Sequence, residues 1–315
     1  MVKSGVLLQI LTTLQRSALV TFVGALALNL SAAPRSEHVF IVSIDGGKPA
    51  VIAQSEMPVL KRLVHEGAST WTATTIFPSS TLPSHTSMLT GVVPKKHKMS
   101  WNSWKLRRGI VGVPTVFSEA KAAGLSTAMF VGKEKFRHLV QPGSVDWFDY
   151  NIAECSPTVG VGQKSRKSDT VMARAVAHDA ALYIAEKKPN LCFIHFADTD
   201  SAGHEYGWGS PQQINAFAEI DAALSVILKA IKDAGICEQS VLIITADHGG
   251  HRKTHGGKKP DDMRIPWIVW GKDVKPDVII TAPVTTCDTA ATALWLLGVP
   301  IPNSFDGTPV RCAFR

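Results

Sequence analysis

The chain has 315 residues, 45% of them hydrophobic and 19% charged, a balance that supplies a substantial core and excludes disorder, collagen and coiled coil. The formal charge of +7 is mild and spread out. Its densest run, Lys164, Arg166 and Lys167, has no interleaved aromatics to stack on bases, so a small anionic substrate rather than a nucleic-acid partner is indicated.

In chain order, Lys3 and Arg16 flank the n-region of a targeting segment, and residues 17–30 are uncharged and apolar before Ser31, Ala32 and Ala33. This predicts an export signal over residues 1–33, hence a periplasmic, secreted or extracellular protein. The apolar stretch is short for a span of roughly 20 residues, and a membrane partner follows only if it stays uncleaved as an anchor. Residues 34–315 then form a single catalytic domain. Aliphatic and β-branched runs at 39–44, 127–131, 191–196, 241–246 and 265–269 read as buried parallel strands. Between them, helices are expected from Pro58 to a glycine cap at Gly67, over 168–187, and from Ser210 and Pro211 to just before Gly235. Residues 133–167 have no clear pattern and are expected to form a small cap over the site. The alternation predicts an α/β fold with a mostly parallel central sheet and helices on both faces, its ligands bound beyond the carboxyl ends of the strands. Five cysteines, Cys155, Cys192, Cys237, Cys287 and Cys312, lack CxxC spacing, which excludes a zinc knuckle; four could pair, leaving one free.

Three of the strand-like runs end in acidic residues: Asp45, the pair Asp198 and Asp200, and Asp247. Asp200 and His204 are one helical turn apart and can address one ion. Asp247-His248-Gly249-Gly250-His251 and Thr254-His255-Gly256-Gly257 add imidazoles on glycine-rich loops. Asp45, Asp200, His204, Asp247, His248 and His255 make six hard or borderline donors without a thiolate. That set is too large for one zinc and suits two, with manganese or iron as other metals of similar preference. His65, His138 and His178 stand apart and read as structural or surface residues. The segment Phe77-Pro78-Ser79-Ser80-Thr81-Leu82-Pro83-Ser84-His85 offers a hydroxyl at a helix N-terminus, where backbone N–H groups favour an anion.

These elements, together with Ser43-Ile44-Asp45-Gly46 and Thr90-Gly91-Val92-Val93-Pro94 with His97, resemble the alkaline phosphatase superfamily in its type I phosphodiesterase and nucleotide pyrophosphatase branch. They stand in the family's order from Val39 to about Gly271. The resemblance implies an alkaline-phosphatase-like core and a hydrolase of phosphodiester or pyrophosphate bonds. It also implies that Asp45, Thr81, Asp247 and His248 hold one zinc and Asp200, His204 and His255 the other. Thr81 is then the nucleophile that becomes a phosphothreonine, and Asn102 the contact to the phosphoryl oxygens. Two departures bear on nucleotide specificity: the segment between the Thr81 motif and Asp200 is short, and His255 follows Asp247 closely.

Thr81-Leu82-Pro83-Ser84-His85 lines up with the sulfatase Cys-x-Pro-x-Arg signature but lacks its cysteine and arginine. Asp45-Gly46-Gly47-Lys48 fails as a P-loop because Val42 stands at the first glycine and Pro49 at the hydroxyl position. Phosphomonoesterase, phosphonate hydrolase, phosphoethanolamine-type transferase and a non-catalytic binding relative remain as alternatives. A monoesterase needs a cation near the nucleophile, for which Lys48, Lys95, Lys96 and Lys98 are candidates. Trp104, with Trp101, Trp147, Tyr206 and Trp208, could stack on a base or line a lipid pocket.

Overall fold

In a computed structural model, residues 33–150, 155–157 and 167–315 are described. The expected export segment lies outside these residues, as does most of the second half of the expected cap. The strands are β1 (His38–Ile44), β2 (Ala68–Thr74), β3 (Thr127–Val131), β4 (Trp147–Asp149), β5 (Cys155–Pro157), β6 (Lys167–Val171), β7 (Leu191–Phe196), β8 (Ser240–Ala246), β9 (Arg264–Gly271) and β10 (Val278–Ile279). The α-helices are α1 (Pro49–Ile52), α2 (Pro58–Glu66), α3 (Thr81–Thr90), α4 (Pro94–His97), α5 (Val116–Ala122), α6 (Ala173–Lys187), α7 (Asp198–Tyr206), α8 (Pro211–Asp233), α9 (Pro260–Met263) and α10 (Asp288–Leu296). No helix among the described residues is long and apolar enough to cross a membrane.

One sheet runs in the order β10, β2, β9, β8, β1, β7, β3, β4, and β5 pairs with β6 separately. The aliphatic runs form its middle, with β1 parallel to both β7 and β8. Every residue of β1, β3, β7 and β8 is buried, so both sheet faces are covered there. The cover comes from two helix groups: α8 packs on α6, α7 and α2, whereas α3 packs on α4, α5 and α10. In α8, Ser210 Oγ accepts from Gln213 N at 3.2 Å, Pro211 opens the first turn, and Phe217, Leu224, Ile227 and Ile231 go into the core. Each such side chain contributes roughly 1.5–3 kcal/mol by burial. Asp221 on the same helix accepts from Val59 N and Leu60 N at 2.9 and 2.8 Å, satisfying the first amides of α2.

Several expectations are corrected. The run at 265–269 is in β9 and is antiparallel to β8 and β2, because residues 247–263 return as loops and the single turn α9, without the long crossover that a parallel neighbour requires. β2 was not expected; its sequence, Ala68-Ser69-Thr70-Trp71-Thr72-Ala73-Thr74, has no aliphatic run. The helix expected over 168–187 begins at Ala173, since Lys167–Val171 pairs as strand β6 with β5. Gly67 follows α2 in an extended conformation, and glycine is needed there for space: a Cβ would lie 2.2 Å from Val269 O. Cys192, Cys237, Cys287 and Cys312, four of the five cysteines that could have paired, are all free thiols on separate elements. The first half of the expected cap contains β4, which joins the main sheet beside β3.

Candidate metal centre

The parallel register sets Ile44 beside both Phe196 and Ala246, so β1, β7 and β8 end together. Asp45 and Asp247 are the next residues of their chains, and Asp200 and His204 follow on the first turns of α7. Chain direction alone therefore gathers the acidic strand ends at one sheet edge. The loop from β8 to α9 supplies His248 and His255.

Two clusters result. In the inner one, His248 Nε2 lies 3.3 Å from Asp45 Oδ1 and 3.3 Å from Asp247 Oδ2, and all three residues are buried. In the outer one, Asp200 Oδ1 lies 3.4 Å from His204 Nε2 and 3.5 Å from His255 Nε2, with His204 exposed. The clusters adjoin, because the rings of His248 and His255 stack at 3.6 Å. The Nδ1 atoms of His204, His248 and His255 donate to the carbonyls of Lys253, Gly249 and Ser79 at 3.0, 2.7 and 2.9 Å. Each Nε2 is thereby turned inward, the nitrogen a metal would take once any proton on it has left; the Nε2 atoms of His204 and His255 lie 3.1 Å apart.

The donors fit two divalent cations. Among the described residues, the buried polar side-chain atoms without a hydrogen-bond partner are Asp45 Oδ1, Thr81 Oγ1, Asp200 Oδ1, Asp247 Oδ2, His248 Nε2 and Thr286 Oγ1. All but the last belong to this site, and orphaned buried polar atoms are otherwise rare. The electrostatics agree. Burial, then the adjacent charge of Asp45, pushes the Asp247 carboxyl up to about 8. Burial opposes charge on His248, but Asp247 and Asp45 outweigh it and raise the imidazole to about 9. Burial, then the charge of His248, takes His255 down to about 4 and keeps it neutral. A cluster that retains protons against carboxylate repulsion is one that positive ions would relieve.

Thr81 opens α3, and the first turn of that helix is tied to the inner cluster. Ser84 Oγ donates to Asp247 O at 2.7 Å, and His85 Nδ1 donates to Thr81 O at 2.8 Å while lying 3.4 Å from Asp247 Oδ2. Asn102 Oδ1 accepts from Leu82 N at 2.9 Å, which brings its carboxamide beside Thr81. Trp104 lines a cavity of about 460 Å³ with Asn102, Lys133, Asp200 and His204, and its ring packs 4.4 Å from that of His138. Trp147 stacks on Tyr183, whereas Trp208 donates to Gly46 O at 3.2 Å and stands edge-on to His204 and His255 at 5.3 and 5.8 Å. The Trp208 ring also explains one glycine in the loop after β8 and one within α7, since a Cβ on Gly250 would stand 2.2 Å from it and one on Gly203 2.8 Å from Gln213 and 2.9 Å from the ring.

Some residues that lie close in sequence are turned away. His251 donates to Asp262 Oδ1 at 2.7 Å, Lys48 pairs with Asp261 and Lys96 with Asp306. His65 and His178 are largely exposed, and His138 is buried with Trp101 and Lys105 donating to it. Sequence reasoning missed three groups. Lys133 Nζ bridges Asp45 Oδ2 and Asp200 Oδ2 at 2.7 and 2.5 Å; the Gly132-Lys133 turn directly after β3 was the available signal. His195, paired in register with Ser43, places Nε2 3.0 Å from Asp45 Oδ2. Lys135 reaches Asn102 Oδ1 at 3.2 Å.

Asp262 holds the loop that carries the histidines. Fully buried, it accepts from His251 and, through Oδ2, from Gly257 N at 3.0 Å, while its carbonyl accepts from Gly249 N at 2.9 Å. Asp262→Ala is expected to loosen the loop that carries His248 and His255 and to weaken metal retention by less than the roughly 10–100-fold that follows loss of a ligand's direct partner. Metal content after dialysis against graded chelator checks this; unchanged retention would count against the positioning role.

The type I phosphodiesterase / nucleotide pyrophosphatase family model matches residues 39–260, the stretch that carries both clusters and Thr81. The chain is 24% identical over 245 residues to rat ectonucleotide pyrophosphatase/phosphodiesterase family member 7, covering 73% of this chain and 53% of the relative. It is 24% identical over 239 residues to human family member 5, covering 73% and 49%. It thus spans about half the length of the curated relatives it matches. In fold, it is similar to an inactive form of murine ectonucleotide pyrophosphatase/phosphodiesterase 5 in complex with AMP, with a TM-score of 0.70, 14% identity and coverage of 89% of this chain and 100% of the other. With the matched stretch running unbroken from β1 through the loop of His255, the chain belongs to the type I phosphodiesterase / nucleotide pyrophosphatase family.

Proposed function

We propose that the chain is a two-metal phosphoester hydrolase that cleaves phosphodiester or pyrophosphate bonds through a covalent intermediate on Thr81. The observation that carries this reading is the set of orphaned buried atoms on Asp45, Thr81, Asp200, Asp247 and His248. Asp45, Thr81, Asp247 and His248 would hold one ion and Asp200, His204 and His255 the other. The mixture of imidazole and carboxylate without thiolate favours zinc. When bound, the two ions supply Lewis acidity at the attacking and leaving oxygens.

The residues of the chain do the rest. Thr81 Oγ forms the bond to phosphorus as the leaving oxygen departs with the bonding pair; water then attacks the phosphothreonine and the hydroxyl returns to Thr81. Asn102 Oδ1 is occupied by Leu82 N and Lys135, which leaves the two Nδ2 hydrogens to donate to a phosphoryl oxygen. The first amides of α3 favour the same negative charge. Residues 34–315 act as the catalytic domain, and the amino-terminal segment directs export.

The test is turnover of bis(p-nitrophenyl) phosphate by zinc-loaded protein, alongside nucleotide diesters prompted by the AMP complex of the murine relative. Hydrolysis that disappears on exhaustive chelation and returns with zinc is expected. Turnover that survives chelation would sink the two-metal reading.

A further inference from the structure

The cavity beside the clusters is more cationic than cleavage of a diester requires. Lys133 contacts Asp45 and Asp200, carboxylates that two bound cations would also claim. Lys135, on the same wall, pairs with no carboxylate: its Nζ lies 3.2 Å from Asn102 Oδ1, and no carboxylate among the described residues stands within 4.0 Å of it. Glu134, also on the wall, faces Arg137 at 3.5 Å. Burial, then the like charge of Lys133, takes the Lys135 ammonium down to about 8 against the more distant carboxylates of Asp45, Asp200 and Asp247, so it remains charged at neutral pH with no anion paired to it directly. Asn102 joins this ammonium to the nucleophile, because its Oδ1 accepts both from Lys135 and from the amide of Leu82, the residue after Thr81. An anion seated on Asn102 Nδ2 therefore lies beside Lys135.

Charge counting gives this placement a meaning. Three carboxylates against two divalent cations leave one positive charge, which an ionised Thr81 offsets. The two lysines then remain, and a phosphoryl group carrying two negative charges neutralises them, whereas a diester carries only one. Buried charge is costly unless matched.

We propose that Lys135 is a specificity-determining residue through which the site also takes phosphoryl groups bearing two negative charges, the terminal phosphoryl group of a monoester or of a pyrophosphate. The inference rests on the hydrolase reading above. The reaction balances as before: Thr81 Oγ bonds to phosphorus, the bond to the leaving oxygen breaks with its electron pair, and that oxygen takes a proton from water.

The experiment compares zinc-loaded wild type, Lys135→Met and Lys135→Arg on p-nitrophenyl phosphate and bis(p-nitrophenyl) phosphate. Calorimetric binding of inorganic phosphate and of dimethyl phosphate is measured in parallel. For Lys135→Met, kcat/KM for the monoester is expected to fall on the order of 10²-fold, as when one charge-stabilising donor is removed, and that for the diester by a clearly smaller factor, because Asn102 Oδ1 keeps its bond from Leu82 N. Inorganic phosphate should bind about tenfold more weakly, dimethyl phosphate should lose less, and Lys135→Arg should restore most of both losses. The monoester-to-diester ratio within one variant does not depend on how much of it folds. Equal losses on both esters would mean that Lys135 acts only by orienting Asn102, and no change in monoester turnover or phosphate binding would overturn the proposal outright. If wild type hydrolyses neither ester the hydrolase reading fails, while an unaltered phosphate affinity in Lys135→Met would separately reject the role given to Lys135.

Discussion

Thr81→Ala is expected to lower kcat on diesters by on the order of 10³-fold or more, the scale seen when a nucleophile is deleted from a preorganised site. The case rests on position. Thr81 Oγ1 is buried with no partner, a state that costs stability unless something else uses the oxygen. It sits at the first residue of α3, held against Asp247 by Ser84 and His85 and beside Asn102 through Leu82. Two further substitutions separate chemistry from structure. Thr81→Val keeps the volume and removes the orphaned hydroxyl, so the metal-free protein should melt no lower than wild type and still be inactive. Thr81→Ser restores a nucleophile and should recover part of the rate. Metal content in Thr81→Ala should stay near two ions per chain, since six other donors remain. An active Thr81→Val protein would rule out the covalent route.

Stripping the ions should cost stability as well as turnover. Asp45 and Asp247 are fully buried and Asp200 nearly so, and Lys133 is the ammonium that bridges two of them. Without divalent cations the remaining negative charge is met only by retained protons on Asp247 and His248. Binding at a thousandfold excess over Kd stabilises by about 4 kcal/mol per site, which is several degrees in Tm for a chain of this size. Scanning calorimetry of chelated and zinc-restored protein measures it. Equal midpoints in the two states would mean that the clusters hold no structural ion.

The middle of the sheet was legible because residues buried on both faces must be apolar in succession, as in β1, β7 and β8. Strand direction was not, since composition says nothing of the connection; β9 reads like its neighbours yet runs the other way because residues 247–263 supply no crossover. β2 was hidden by serine and threonine. At the site, the acidic residues and histidines stood out through their places at strand ends and the one-turn spacing of Asp200 and His204. Lys133 and Lys135 did not, because they lie in a stretch without periodicity and their relation to Asp45, Asp200 and Asn102 exists only in three dimensions. His195 looked like an ordinary core residue until the register with Ser43 set it against Asp45.

The strand order also governs when the site can come into being. β1 is made first but lies in the centre, with Val39 registered against both Leu191 and Val241. Its two neighbours are synthesised far later, and closing loops of that length makes assembly slow and non-local. Asp45 therefore lacks its inner-cluster partners until β8 docks, although Lys133 and His195 can meet its Oδ2 once β3 and β7 are in place. A nascent chain halted before β8 would carry Asp45, Thr81 and Asp200 yet lack Asp247, His248 and His255, so neither cluster would be complete.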